Sequence, residues 1–136
     1  MPVPTYPEVW LSENAFISMV TAAVEAFPDE TLGVIIGFRE PEMKRILVQY
    51  AVVYQTAERA KDAVEADLKR KLGTDKFLER VTRLSVIGDF HSHPKLPVGK
   101  MSSCWLSPDD KKSMQPNDLS FVIAIDRDSK EREWHL

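Results

Sequence analysis

Apolar residues recur at spacings of three and four through Phe16, Met19, Val20, Ala23, Val24 and Phe27, which is the pattern of one buried helix face. Ser12 stands where an N-cap belongs, and Pro28-Asp29 ends the helix. The next stretch, 31–38, is almost continuously apolar, too short for a buried helix and bounded by charge. It predicts a central strand covered on both faces. Its two glycines, Gly33 and Gly37, imply that another backbone comes close. Glu40-Pro41-Glu42 reads as a turn, and the β-branched stretch 45–55, with Ile46, Val48, Val52 and Val53, as the second strand of a hairpin.

From 56 to 84 charge dominates, with Val64, Leu68, Leu72, Phe77, Leu78 and Val81 at helical spacing. Gly73-Thr74-Asp75 interrupts the pattern and predicts two helices or one broken one, whose charges form a solvated face. Leu84-Ser85-Val86-Ile87 opens another strand that runs into Gly88-Asp89-Phe90-His91-Ser92-His93 and stops at Pro94, which has no N–H for a ladder. A long loop follows over 95–106, then a short helix capped by Ser107 with Pro108 in its first turn. A strand at 119–125, a turn at 126–130 and a last strand at 131–136 complete the chain, and the proline-rich residues 1–7 form an extended lead-in. The sum is α/β: a mixed, mostly antiparallel sheet flanked by helices.

Composition narrows this further. At 136 residues and 43% hydrophobic, the chain suffices for one domain, 1–136, with a real core, and is too short for two. The net charge is −3, and lysines and arginines are scattered among acids without a basic stripe, so nucleic acid is not an expected partner. One cysteine makes no internal disulfide and points to a reducing, cytoplasmic setting. No signal peptide and no apolar run of membrane-spanning length is visible, so no membrane partner is expected.

The chemistry concentrates in His91 and His93. On a strand, residues i and i+2 leave the same face about 6.6–6.8 Å apart, so the two imidazoles can converge on one metal ion. A catalytic zinc takes three protein donors and leaves a fourth position open, and Asp110 and Cys104 are the nearest candidates for the third. Asp110 in the first turn of a helix suits an oxygen ligand, although such an acid also serves simply to complement the helix dipole. Cys104 equally suits a small buried apolar position. The nucleobase-deaminase zinc pattern, His-x-Glu with Pro-Cys-x-x-Cys, is absent.

Three blocks in order resemble a known family: Glu30-Thr31-Leu32-Gly33-Val34-Ile35-Ile36-Gly37, then Gly88-Asp89-Phe90-His91-Ser92-His93-Pro94, then Ser107-x-x-Asp110. Together they look like the JAMM (MPN-plus) metalloprotease signature of a glutamate, His-x-His-Pro and Ser-x-x-Asp. The resemblance implies a cytidine-deaminase-like α/β sandwich around a curved mixed sheet. It implies one zinc held by His91, His93 and Asp110, with Glu30 acting on the water and Ser107 donating to the oxyanion. It further implies cleavage of peptide or isopeptide bonds after the tail of a ubiquitin-like or sulfur-carrier-like protein. Metal-free relatives act as scaffolds, so a binding module is the alternative, and a zinc peptidase for small peptides is a third reading. One departure is the twelve residues from Lys95 to Leu106 between Pro94 and Ser107, about twice the family's usual spacing. Being in a loop, the excess leaves ligand convergence possible and bears on substrate access.

The same roles follow chemically. Zinc lowers the pKa of a bound water to about 7, and a nearby carboxylate is needed to take that proton and later to supply one to the leaving amine. Glu30, beside an apolar strand, would be partly desolvated and suited to such a shuttle. Ser107 as an N-cap alone would contribute about 1 kcal/mol to stability.

Overall fold

The fold was obtained as a computed structural model, which describes residues 6–55, 57–59, 64–65, 67–94, 112, 118–127 and 134–136. Among these residues six strands form one sheet in the order β1-β3-β2-β6-β7-β8. They are β1 (Glu8–Leu11), β2 (Leu32–Glu40), β3 (Arg45–Val53), β6 (Ser85–Pro94), β7 (Leu119–Arg127) and β8 (Trp134–His135). A separate two-stranded ribbon pairs β4 (Glu58–Arg59) with β5 (Val64–Glu65). The sheet is mixed: β2 runs antiparallel to both β3 and β6, β7 antiparallel to β8, while β1 pairs parallel with β3 and β6 parallel with β7.

The apolar run of β2 has the central place its composition predicts. Val34, Ile35 and Ile36 are at most 1% exposed, because consecutive side chains enter different cores on the two faces of the sheet. Ile35 joins Ala15, Met19, Ile46, Val48, Ile87 and Phe90 under helix α1 (Glu13–Ala26). Val34 and Ile36 join Tyr54 and Ala57, with Leu32, Leu78 and Val86 packed around them, under helix α2 (Leu68–Thr82). Gly33 explains the close packing of the first layer, since a Cβ there would stand 2.2 Å from the Phe90 ring and 2.4 Å from the Val52 carbonyl oxygen.

Helix α1 starts as expected. Ser12 Oγ accepts from the Ala15 N–H at 3.0 Å and donates to the Gln49 carbonyl at 2.7 Å, so one hydroxyl caps the helix and ties it to β3. Of the predicted stripe, Met19 and Ala23 are buried together with Ala15 and Ala22, while Phe16 is exposed. Small side chains let the helix approach closely.

Two expectations are corrected. The lead-in ends in a strand, β1, on the sheet's edge. The charged region 56–84 is not two helices broken at Gly73-Thr74-Asp75: α2 runs unbroken through those residues, and its upstream part forms the β4–β5 ribbon. The helix is capped by Asp67, whose Oδ1 accepts from the Arg70 N–H at 3.1 Å. Lys71 and Asp75, one turn apart, bridge the glycine with an ion pair of 2.9 Å. Nothing lies within 4 Å of a Cβ at Gly73, so that glycine has no packing role and merely weakens the helix by its propensity. Of the apolar residues at helical spacing, Leu68, Leu72, Phe77 and Val81 are exposed. Strand β7 also continues to Arg127, two residues into the turn predicted at 126–130. No helix among the described residues is long and apolar enough to cross a membrane.

Candidate metal centre

Strand β6 carries the site. Its residues alternate, so Phe90 and Ser92 turn toward the α1 side, while Asp89, His91 and His93 share the side on which α2 packs. The strand is interior, with β2 on one side and β7 on the other: His91 pairs with Leu32 and with Val122, and His93 with Ala124. His91 is 6% exposed, and His93 is half-buried.

The two Nε2 atoms stand 3.1 Å apart, with ring centroids 4.8 Å apart and planes at 63°. Two nitrogens each about 2.0–2.1 Å from a tetrahedral zinc would be about 3.3–3.4 Å apart, so the rings are within a few tenths of an ångström of the spacing one ion requires. The same separation suits a shared proton, with one ring donating and the other accepting. Two imidazole nitrogens converging at the end of a buried strand therefore fit zinc in donor type and in spacing.

Glu30 lies in the segment that enters β2 and is half-buried. The β2–β6 ladder ends at the pair Leu32 and His91, and Thr31, which follows Glu30, and Ser92, which lies between the histidines, are the next residues on the two segments. Two hydrogen bonds join these two residues. The Ser92 N–H donates to the Thr31 carbonyl at 3.1 Å, and the Thr31 N–H donates to Ser92 Oγ at 2.8 Å. Thr31, next to Glu30, is thus joined to Ser92, between the two histidines, across 61 positions of sequence.

Asp110, Ser107, Cys104 and the long loop 95–106 lie outside the described residues. Among the described residues no group of three His, Cys, Asp or Glu side chains forms a metal cluster; of the three expected donors these residues include His91 and His93.

Three features near the histidines were not read from the sequence. Ser92 is wholly buried and clasps Thr31; its position between two same-face histidines, hence pointing into the opposite core, was the available signal. Asp89, on the histidine side of β6, accepts from Ser120 Oγ of β7 at 2.7 Å. Tyr54, at the end of β3, donates to Asp75 Oδ1 at 2.7 Å, and burial followed by the adjacent Asp75 carboxylate pushes its phenol above the usual tyrosine range. Beside Tyr54 a cavity of about 500 Å³ opens between the end of β3 and α2, with Arg70, Lys71 and Thr74 in its wall.

Comparison with known proteins bears on family and fold. The family described as prokaryotic homologs of the JAB domain matches residues 12–136. The solution structure of protein DSY2949 from Desulfitobacterium hafniense superposes with a TM-score of 0.67 at 22% identity, covering 87% of this chain and 74% of the other, which is a likeness of fold. No curated protein matches the chain.

Proposed function

The chain belongs to the prokaryotic homologues of the JAB domain, and from that membership we propose that it is a zinc-dependent peptidase or isopeptidase acting at the C-terminal tail of a ubiquitin-like or sulfur-carrier-like protein. The observation that carries the reading is the convergence of His91 and His93 Nε2 at 3.1 Å. In this proposal His91, His93 and Asp110 hold the ion. Zinc, when bound, supplies Lewis acidity toward a carbonyl and acidifies water. Both histidines must offer an unprotonated Nε2 to the metal, which excludes the shared proton. Glu30 takes a proton from the attacking water and returns it to the departing amine, so hydrolysis consumes one water and yields a carboxylate and an amine. Ser107 donates to the oxygen on which negative charge develops.

The substrate class is an extended, flexible tail, which a sheet-bearing protease can hold through backbone pairing more readily than folded protein. The test is elemental analysis of the purified protein together with cleavage of tail-linked ubiquitin-like and sulfur-carrier-like fusions. One zinc per chain and cleavage after the tail are expected. Glu30→Gln should keep the metal and the fold while losing about two to four orders of magnitude in rate. Zinc with no cleavage of the fusions but cleavage of short unrelated peptides would make it a small-peptide enzyme. Absence of zinc would leave a metal-free binding module.

A further inference from the structure

We propose that Ser92, which lies between the two histidines in sequence but faces away from them, is a positioning residue that fixes the segment carrying Glu30 against β6; this rests on the reading of Glu30 as the proton-transferring group. A hydrogen-bonded antiparallel pair normally exchanges two backbone bonds, each N–H going to the other residue's carbonyl. At Thr31 and Ser92 one of these is made, from the Ser92 N–H to the Thr31 carbonyl at 3.1 Å. The other is diverted: the Thr31 N–H donates at 2.8 Å to the Ser92 hydroxyl oxygen instead of the Ser92 carbonyl.

The diversion coincides with the end of the ladder, whose last pair is Leu32 and His91. The chain carrying Glu30 therefore leaves the regular strand at the point where a side chain replaces a carbonyl as acceptor. Thr31 and Ser92 are both 0% exposed, so water does not compete for this N–H. The hydroxyl of Thr31 itself has no partner among the described residues, so the tie runs through its backbone and not its side chain. With alanine at 92, the Thr31 N–H either stays unsatisfied or turns to the carbonyl and draws the segment into regular register. Either result moves Glu30 relative to His93. The histidines project from the opposite face and keep their ladder partners.

The experiment compares wild type with Ser92→Ala in three measurements on the full chain: amide exchange at Thr31, zinc content, and steady-state kinetics on a tail-linked fusion. Thr31 exchange should accelerate by about ten-fold or more. Zinc content should be unchanged, and kcat should fall by about ten-fold or more with KM within about two-fold, the split expected when a reacting group is misplaced and binding is not. Unchanged exchange at Thr31, or accelerated exchange with wild-type kcat, would overturn the proposal, and loss of zinc would assign Ser92 to the metal instead. If Ser92→Ala does not fold, Ser92→Cys, nearly the same size with a weak sulfur acceptor, takes its place with the same outcomes. If wild type cleaves none of the fusions, the proposed activity fails by itself. The clasp is then judged from Thr31 exchange and from crystal structures of both proteins, where a Glu30 displaced by about 1 Å or more supports it and an unmoved Glu30 overturns it.

Discussion

Replacing Tyr54 with phenylalanine removes a single oxygen from the network that fastens α2 to the sheet. Asp75, on α2, is 8% exposed, and Tyr54, just after β3, is 6% exposed. One carboxylate oxygen accepts the Tyr54 hydroxyl at 2.7 Å, and the other accepts Lys71 Nζ at 2.9 Å. The phenol bond is the buried one, whereas about a third of the Lys71 side chain is exposed and its pair is screened. Tyr54→Phe leaves a buried carboxylate oxygen without its donor, a charge-assisted bond whose truncation costs about 1.5–3 kcal/mol. For a chain of this length that corresponds to a fall in Tm of roughly 5–12 °C. Urea unfolding followed by circular dichroism at pH 7 should show a lower midpoint with an unchanged slope, since surface exposed on unfolding hardly changes. The pH dependence has a definite sign. Because the folded phenol is raised above the unfolded value near 10, its contribution is fully present below about pH 10 and is lost as pH rises beyond that, so the wild-type advantage over Tyr54→Phe should shrink there. A double-mutant cycle with Asp75→Asn should give a coupling of about 1 kcal/mol or more. A Tyr54→Phe midpoint equivalent to less than about 0.5 kcal/mol, or no coupling, would refute the assignment of this bond as the fastening.

Gly33→Ala should destabilise by about 3 kcal/mol or more in thermal unfolding, because the new Cβ meets a fully buried ring and a backbone carbonyl, neither of which can retreat. Thr31→Val should be neutral or stabilising by up to about 2 kcal/mol, since it removes a buried hydroxyl with no partner among the described residues while keeping the shape. His91→Ala and His93→Ala should each abolish stoichiometric zinc by elemental analysis, and Asp110→Ala likewise, whereas Cys104→Ser should retain it; zinc lost in Cys104→Ser would move the third ligand there.

The motif residues and most of the core elements were legible because they depend on local pattern. The 31–38 run had to be buried on both faces, Ser12 had to cap, and two histidines at strand spacing had to share a face. The order of the three motif blocks sufficed for the family, and residues 12–136 match it. Helix α2 was misread for the converse reason. Glycine and leucine spacing describe the chain's own preferences, but which face of a helix is buried depends on the surface offered to it, and here that surface offers Tyr54 to Asp75 while Leu68 and Leu72 stay exposed. Pairing between distant segments lies equally beyond local pattern. That Ser92 supplies the acceptor for the Thr31 N–H, next to Glu30, follows from the meeting of β2 with β6. What the sequence determined by itself was the set of chemical groups, the strand that presents two of them on one face, and the family. What only the tertiary structure decided was their distances and partners, because register and helix docking are set by the joint packing of segments far apart in the chain, and no single window of residues contains that information.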